Sequence, residues 1–493
     1  MLRGWVFGEG GLHLRNGKRP MTSTKPETSA KASGRLVAIS NRTAAGSESK
    51  AGGLAVALWE TLVETKGLWI GWSGRVLDFE TARVSHVEEE GVHFALSDLS
   101  RRQYDGFYLA YANSVLWPVM HNRIDLAVFE ADTYRNYRSV NEKFARIAVQ
   151  EARPDDFVWV HDYHFFLLGR MMRQRGWQGR LGWFLHIPFP APEAFRAIPQ
   201  HRELGEALCA YDVVGVQTGK DFYNLARYLE EEFGAEELPD GRFRVGERTV
   251  RLLHCPIGID VDAFVQASTC EDAELAALKL SKFLGKRELV LGVDRMDYSK
   301  GLLQRFEGMA DLFDRHPDVH GHISFTQVAP PSRSVVEGYQ QLRQKLDELS
   351  GRINGDYGDL DWIPIRYLAR GYDRDEIAGL YRLAKVCLVT PLQDGMNLVA
   401  KEFIAAQDPD DPGVLVLSQF AGAAEQMREA LIVNPYDSAA IAEAVYKAIH
   451  MPLEERQERW RKLMDGLRTQ DLAWWRERFL KAVPADAVIP VLS

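Results

Sequence analysis

The feature that most constrains this chain is an alternation of short apolar segments with amphipathic stretches, repeated twice along its length. Apolar segments bounded by turn residues are typical of buried strands, and strands that alternate with helices predict a parallel sheet wrapped by helices. Because two such sheets need two hydrophobic cores, we expect an α/β protein with two domains. The first series of strands is predicted at 36–39, 157–160, 181–185 and 213–216, and the second at 288–293, 323–328, 363–367, 386–389, 414–417 and 431–433.

Composition supports this expectation and excludes several classes of protein. The 493 residues are 46% hydrophobic, which is enough apolar material for two large cores. A net charge of −9 argues against general affinity for nucleic acid or for anionic membranes. The four cysteines are scattered without metal-binding spacing, which indicates reduced thiols in a cytoplasmic protein. No apolar run reaches about 18 residues, so no membrane span is predicted.

The predicted domain limits follow from changes in the pattern. Residues 1–34 are rich in small and basic residues and are predicted to be a disordered tail. The first domain is predicted over 35–257, because a proline- and glycine-containing link follows the first strand series. The second is predicted over 258–470, and 471–493 is predicted to include a helix that packs across both domains.

One stretch of the second series, residues 386–406, carries a predicted binding loop. A buried strand ends at Thr390-Pro391, and Asn397 is predicted to cap the helix that follows. Asp394 therefore lies in a loop at the carboxyl end of a parallel strand, which is where open α/β sheets bind ligands. Glu402 lies early in the helix, where a carboxylate can reach the diol of a sugar or ribose; the alternative is a solvated surface residue.

Cations follow other strands of the second series. Arg295 and Lys300 lie just before a predicted helix, and this combination suits a diphosphate. The alternative for Arg295 is a surface ion pair with Asp297. Arg333 is a further cation at a predicted helix start.

The first series also carries polar residues after its strands. Arg42 and the pair Gly52-Gly53 precede a predicted helix. Two glycines at this position allow backbone amides to approach a phosphate closely. The alternative is that the glycine pair is only a flexible turn. Neither the dinucleotide-binding glycine motif nor a phosphate-binding P-loop is present. His161-Asp162-Tyr163-His164 follows the second strand and favours a sugar-binding loop over a metal site. His186 ends the next strand before a proline-rich turn.

Eight motifs in fixed order give these residues a family resemblance. Together they resemble the trehalose-6-phosphate synthases, from about Arg35 to about residue 480. The motifs are Ser40-Asn-Arg42, Gly52-Gly-Leu54, Gly71-Trp-Ser-Gly74, Asn113-Ser-Val-Leu-Trp117-Pro, Trp159-Val-His-Asp162-Tyr-His, Phe184-Leu-His186-Ile-Pro-Phe-Pro, Asp294-Arg-Met-Asp-Tyr-Ser-Lys300-Gly and Asp394-Gly-Met-Asn-Leu-Val-Ala-Lys-Glu402.

The resemblance implies the GT-B fold, with two Rossmann-like domains facing across a cleft. It also implies transfer of glucose from a nucleotide sugar, with UDP-glucose expected, to glucose 6-phosphate with retention at the anomeric carbon. No metal and no cofactor is implied. The implied acceptor residues are Arg42, Tyr108, Trp117, Asp162 and Arg333, and the implied donor residues are Gly52, Gly53, His186, Arg295, Lys300, Tyr372, Asp394, Leu398, Val399 and Glu402. Those at the reacting centre are His186, Asp162, Arg295, Lys300 and Asp394.

Three other functions remain open at this point. Asp394 and Glu402 could be the two carboxylates of a glycosidase, although a glycosidase does not need the cations of the Lys300 loop. A catalytically silent relative would bind sugar phosphates as a sensor. A sibling transferase would use another phosphorylated acceptor, such as glycerol 3-phosphate or a cyclitol phosphate. A homo-oligomer is compatible with each of them.

Overall fold

A computed structural model describes residues 34–45, 53–333 and 337–483. The tail predicted over 1–34 therefore lies, except for Gly34, outside the described residues, as does Gly52 of the glycine pair. None of the helices in the described ranges is long and apolar enough to cross a membrane.

The first half of the chain forms a ten-stranded sheet. Its strands are β1 (Leu36–Arg42), β2 (Leu68–Leu77), β3 (Val84–Glu89), β4 (Val92–Ser100), β5 (Phe157–His161), β6 (Arg180–Phe184), β7 (Val213–Val216), β8 (Glu236–Glu237), β9 (Arg242–Val245) and β10 (Arg248–His254). They lie in the order β3-β4-β2-β1-β5-β6-β7-β10-β9-β8. The seven central strands are parallel, whereas β3, β8 and β9 pair antiparallel at the two edges.

The second half forms a six-stranded sheet that is parallel throughout. Its strands are β11 (Glu288–Val293), β12 (Ile323–Val328), β13 (Ile365–Leu368), β14 (Val386–Val389), β15 (Val414–Ser418) and β16 (Leu431–Val433). The order β13-β12-β11-β14-β15-β16 is that of a dinucleotide-binding Rossmann sheet. In this arrangement the strands remain parallel, but the order in which the chain adds them reverses between β11 and β14. A crevice for a ligand is expected at that reversal.

Helices cover both sheets and join them through a shared core. They are α1 (Gly53–Glu64), α2 (Arg101–Gln103), α3 (Trp117–Met120), α4 (Ala131–Glu151), α5 (Leu168–Gln174), α6 (Pro192–Phe195), α7 (His201–Leu208), α8 (Gly219–Phe233), α9 (Val261–Ala267), α10 (Glu271–Leu284), α11 (Leu302–Arg315), α12 (Glu337–Tyr357), α13 (Arg374–Leu383), α14 (Leu398–Ala406), α15 (Ser438–Ile449), α16 (Leu453–Thr469) and α17 (Leu472–Ala482). One hydrophobic cluster includes Ala38 and Trp159 of the first sheet and Leu291 and Cys387 of the second. The outer faces of the two sheets have separate clusters.

The last helix, α17, packs against the first sheet after the chain has completed the second. The ring of Phe479 stacks on Trp159 at 4.4 Å, and that of Trp475 lies 4.9 Å from the same indole. Leu472 donates its backbone N–H to the carbonyl of Ile259, so the two chain crossings between the sheets lie side by side. The domain limits 35–257, 258–470 and 471–493 stay predictions.

The carboxyl ends of the two sheets face each other. Gly395, after β14, packs so closely on the first sheet that a Cβ there would collide with the carbonyl oxygen of His186, after β6. Trp117 and Tyr163 of the first half both contact Arg333 of the second. The predicted fold class, α/β with two Rossmann-like domains facing across a cleft, is therefore confirmed.

Candidate active site

Two loops at the carboxyl edge of the second sheet bring a cation and a carboxylate together. Lys300, before α11, donates from Nζ to Oδ2 of Asp394, before α14, at 2.5 Å. Both side chains are 14% exposed, so the pair lies in the cleft wall. Although burial alone would lower it, the carboxylates of Asp394 and Asp294 raise the pKa of Lys300. Lys300 is therefore a fixed positive charge beside a helix start.

Asn397 occupies the predicted position just before α14 but does not cap the helix as expected. Its backbone is left-handed, with φ of 74°, and its side chain makes no capping hydrogen bond. Instead, Nδ2 donates to Oδ2 of Asp394 at 3.0 Å, the oxygen that Lys300 also binds. Asn397 thus fixes the orientation of the Asp394 carboxylate and leaves the amide N–H groups of α14 without a side-chain cap.

A cavity of about 410 Å³ lies beside this pair, and five of the ten predicted donor residues line it. Glu402 accepts a hydrogen bond from the Tyr381 hydroxyl at 3.4 Å, and burial raises the pKa of Glu402 to about 7. The guanidinium of Arg374 lies over the ring of Phe264 and faces the same space. The predicted residues that line the cavity are Arg295, Tyr372, Leu398, Val399 and Glu402.

Asp162 and His186 follow β5 and β6 on the opposite side of the cleft. Asp162 has φ of 74°, a strained backbone that aims its side chain at the following strand end. Its Oδ1 accepts the backbone N–H of His186 at 3.3 Å, and burial raises the pKa of Asp162 to about 7. Burial lowers the pKa of His186 to about 3, so this imidazole is neutral at physiological pH. Its Nε2 lies 3.2 Å from Nδ1 of His161.

The His161 and His164 side chains do not form a metal site with other residues of the described ranges, in which no group of three or more potential ligands was found. His161 contacts His186, and His164 stacks on Tyr108 with the ring planes 10° apart. Burial lowers the pKa of both histidines, so both remain neutral packing groups.

Arg42 and Tyr108 lie together at the end of β1. The guanidinium of Arg42 is exposed and lies 4.7 Å from the centre of the Trp72 ring. Tyr108 packs on the same indole at 5.9 Å. It is part of a π-helical segment, Tyr104–Leu116, in which its carbonyl accepts from the side chain of Asn113. Such wide helical turns often occur at functional sites.

Arg333 joins the two halves of the site. Its guanidinium lies 4.0 Å over the ring of Trp117, and its Nη1 donates to the Tyr339 hydroxyl at 2.6 Å. Nη2 donates to the Tyr163 hydroxyl at 3.2 Å, while Nε is buried without a partner in the described residues. Arg333 has a left-handed φ of 47°. The predicted cation is thus held at the boundary between the two sheets.

Asp297 pairs with Arg333, not with Arg295 as in the surface ion-pair alternative. Its Oδ2 accepts from Arg333 at 3.3 Å, and its Oδ1 accepts from the indole N–H of Trp117 at 3.4 Å. Burial alone would raise the pKa of Asp297, but the charges of Arg333 and Arg295 lower it. Arg295 is exposed, with its guanidinium 5.7 Å from the Trp117 ring.

Comparison with known proteins shows the family of this chain. The model of glycosyltransferase family 20 matches residues 25–485. The chain belongs to glycosyltransferase family 20. The trehalose-6-phosphate synthase of Sinorhizobium fredii is 43% identical over 92% of this chain and 99% of its own length.

Solved structures of family 20 enzymes superpose closely. The UDP-forming trehalose-phosphate synthase of Burkholderia vietnamiensis has a TM-score of 0.89 at 44% identity, covering 91% of this chain and 96% of its own. That of Burkholderia xenovorans, in complex with glucose-6-phosphate, has a TM-score of 0.88 at 43% identity and coverages of 91% and 99%. An E. coli structure bound with UDP-2-fluoro glucose has a TM-score of 0.87 at 40% identity and coverages of 91% and 98%.

Arg305 is a buried residue of this candidate site that the sequence did not reveal. It is fully buried in α11 beneath the Lys300 loop. Its guanidinium donates to Asp294 at 2.8 Å, to Gln327 at 2.9 Å and to Thr390 at 3.1 Å. One side chain thereby connects the ends of β11, β12 and β14. A pattern search could have noticed an arginine on the apolar face of a helix.

His121 is a second buried group that the sequence did not single out. Its ring lies 4.2 Å from Trp117, and its Nδ1 lies 2.7 Å from the Trp117 carbonyl oxygen. Burial lowers its pKa to about 4, so its imidazole is neutral. His121 therefore packs against Trp117 and helps to fix the position of its ring.

Proposed function

We propose that this protein is a UDP-forming trehalose-6-phosphate synthase. It transfers glucose from UDP-glucose to the anomeric hydroxyl of glucose 6-phosphate with retention, giving trehalose 6-phosphate and UDP. The observation that carries the proposal is the convergence of the nucleotide-sized cavity, the Lys300–Asp394 pair and Arg333 at one cleft. Relatives whose names and complexes concern the same substrates support it.

On the donor side, the cavity beside α14 receives the nucleotide. Lys300, Arg295 and the backbone of Gly53 meet the diphosphate, because cations and helix-start amides stabilise its charge. Glu402 accepts hydrogen bonds from the ribose hydroxyls. Tyr372 and the backbone at Leu398–Val399 bound the base. Gly52 has the same proposed role as Gly53 but lies outside the described residues.

On the acceptor side, Arg42 and Arg333 hold the 6-phosphate together with the Tyr108 hydroxyl. Trp117 packs on the acceptor sugar, and Asp162 accepts from one of its hydroxyls. Arg333 is already oriented by Tyr163, Tyr339 and Asp297, so it needs little ordering when the phosphate binds.

Catalysis in this proposal depends on charge stabilisation. As the glycosidic bond of the donor breaks, negative charge grows on the departing diphosphate, and Lys300 and Arg295 stabilise it. A diphosphate oxygen on the same face takes the proton of the acceptor hydroxyl. Neutral His186 and the carboxylate of Asp394 bind the donor glucose. Asp394 is already bound by Lys300 and Asn397, which disfavours a role as a glycosidase nucleophile.

A product assay tests the proposal. The protein is incubated with UDP-, GDP- or ADP-glucose and with glucose 6-phosphate, glycerol 3-phosphate, a cyclitol phosphate or glucose, and products are identified by NMR. We expect UDP and an α,α-linked trehalose 6-phosphate as the main products. Faster turnover of another phosphorylated acceptor would identify a sibling transferase, and absence of turnover with every pair would leave a binding protein.

Metal removal gives a second check. Because charge neutralisation is assigned to Lys300, Arg295 and helix amides, treatment with EDTA should leave the initial rate essentially unchanged. Complete loss that added magnesium or manganese restores would reject this assignment. We also infer a cytoplasmic enzyme, since its substrates are cytoplasmic metabolites and its four cysteines are unpaired.

A further inference from the structure

A separate cavity of about 180 Å³ shares Tyr372 as a lining residue with the nucleotide cavity. It is lined by residues of α10 and α13, of the edge strand β13 and of its neighbour β12. Among the residues assigned above to the donor and acceptor, Tyr372 alone lines it. The lining residues include three cations, Lys279, Arg366 and Arg370.

The three cations differ in exposure, since Lys279 and Arg370 are exposed and Arg366 is half-buried. Within the described part of the chain, none of them forms an ion pair. The guanidinium of Arg366 lies 4.4 Å over the Phe283 ring, and that of Arg370 lies 4.5 Å over the Tyr372 ring. Three such cations around one cavity give it local positive charge in a chain whose net charge is −9.

Glu376 is the one carboxylate among the described lining residues. Its Oε2 accepts the backbone N–H of Asp373 at 3.1 Å and so closes the capping box at the start of α13. A carboxylate used as a helix cap neutralises one of the three cations at most. The lining therefore keeps an excess of positive charge.

A buried hydroxyl supplies the second, independent observation. Thr326 lies on β12 with 0% of its surface exposed, and its Oγ1 has no hydrogen-bond partner within the described residues. Thr326 and Arg366 are register partners on neighbouring parallel strands, so their side chains lie on the same face of the sheet. This face lines the cavity. A buried hydroxyl without a partner is costly unless a ligand or water completes it.

We propose that this cavity is an effector site for a small phosphorylated ligand. Guanidinium and ammonium groups bind phosphate oxygens through charged hydrogen bonds, and the Thr326 hydroxyl donates to a further oxygen. The cavity holds one phosphate group with a short carbon chain, but not a nucleotide. The site lies outside the reaction cleft and takes no part in the chemistry.

The shared wall gives this site a route to the donor site. Arg370 stacks on Tyr372, which lines both cavities. A phosphate that attracts Arg370 shifts this stacked pair and changes the wall against which the nucleotide base packs. By linkage, nucleotide binding changes the affinity for the phosphate by the same factor. This coupling, unlike the site itself, rests on the proposed function.

The test is a calorimetric titration with inorganic phosphate at constant ionic strength, chloride being the balancing anion. The protein is first saturated with UDP and glucose 6-phosphate, so that the reaction cleft is filled. We expect saturable binding that Arg366→Gln and Lys279→Gln each weaken by about tenfold or more, the usual effect of losing a charged hydrogen bond. Lys282→Gln is the matched control, because Lys282 is exposed on the same helix and does not line the cavity.

Thr326→Val distinguishes a hydroxyl that binds a ligand from a buried hydroxyl that is simply unsatisfied. It removes the hydroxyl and keeps the side-chain shape. We expect weaker phosphate binding with an unchanged or raised melting temperature, since an unsatisfied buried group has been removed. Phosphate affinity equal to that of the wild type in all three cavity variants would overturn the proposal. An identical response to chloride, or binding that vanishes once the cleft is filled, would overturn it as well.

The coupling has its own readout. In the wild type, phosphate at about 1 to 10 times its dissociation constant should change the affinity for UDP by about fivefold or more. Arg366→Gln should abolish this change. UDP affinity that does not respond to phosphate would overturn the coupling. Failure of UDP to bind under any condition would instead reject the proposed function, while the comparison of phosphate affinities would still decide the effector site.

Discussion

The donor and acceptor sides of the cleft are built differently. The donor side draws its charged residues almost entirely from one sheet edge, where Arg305 connects three strand ends beneath the Lys300–Asp394 pair. The acceptor side is divided, because Arg42 and Trp117 come from the first half of the chain and Arg333 comes from the second.

This difference implies that nucleotide binding depends mainly on the second domain, whereas acceptor binding depends on the approach of both. The contacts of Arg333 with Trp117 and Tyr163 exist when the two sheet edges face each other at this distance. A cleft that completes its acceptor site by closing over the donor would also exclude water from the reaction. Substitutions on the two sides should therefore have separable effects.

The largest expected effect comes from the anchor of the donor side. Arg305→Met leaves the Asp294 carboxylate buried without its partner, which should cost roughly 3–5 kcal/mol in the free energy of unfolding. Denaturant unfolding measures this loss, and UDP affinity should fall with it. Arg315→Met, at an exposed position of the same helix, is the control. Equal losses in both variants would mean that Arg305 is not a special anchor.

Lys300→Ala should have the next largest effect, on catalysis more than on folding. Removing a charge aimed at the departing diphosphate should cost roughly 2–4 kcal/mol in kcat/KM. Steady-state kinetics with both acceptors, glucose 6-phosphate and glucose, measures it, and the loss should be the same with each. The exposed Lys345→Ala serves as the control. A rate near that of the wild type would place the diphosphate elsewhere.

The second sheet was predictable from sequence almost strand for strand, and the first was not. All six strands of the second sheet were predicted, because β11, β14 and β15 are largely apolar runs and β12, β13 and β16 each carry apolar residues between turn residues. The first sheet has six further strands, including β2 and β4, that the sequence did not reveal. Their polar, glycine and tryptophan residues break the apolar runs, and β3, with its exposed face, lies at the sheet edge. Strand β1 also extends to Arg42, into the predicted loop.

For the site, the sequence predicted the residues that follow strands but not the buried residues that hold those loops in place. Lys300 and Asp394 lie in the loops that follow the apolar strands β11 and β14, so their position at one edge of the sheet was foreseeable. Arg305 lies within a helix, where an arginine usually indicates a solvated face, and its burial depends on three strand ends that are distant in sequence. The partners of Asp297 likewise come from both halves of the chain.

A pH experiment isolates the carboxylate of the nucleotide cavity. Burial raises the pKa of Glu402 to about 7. Between its ordinary pKa and pH 7 the folded protein keeps a proton that the unfolded chain loses, so stability falls as pH rises through this window. Glu402→Gln should remove up to about 3 kcal/mol of this fall. Unfolding measured from pH 4.5 to 8 checks it, with the exposed Glu307→Gln as the control. An unchanged pH profile would contradict the burial of a protonated Glu402.

The most direct test of the divided site is the acceptor preference of Arg333→Ala. We expect kcat/KM with glucose 6-phosphate to fall by a factor that corresponds to about 1.5–3 kcal/mol of transition-state stabilisation, the value of a lost charged hydrogen bond. The much lower activity with free glucose should hardly change. The dissociation constant of UDP should stay within about twofold of the wild type, well inside the effect of one lost hydrogen bond. Equal losses with glucose and glucose 6-phosphate, or a matching loss of UDP affinity, would show that Arg333 serves the donor or the fold and would contradict the division between the two sides.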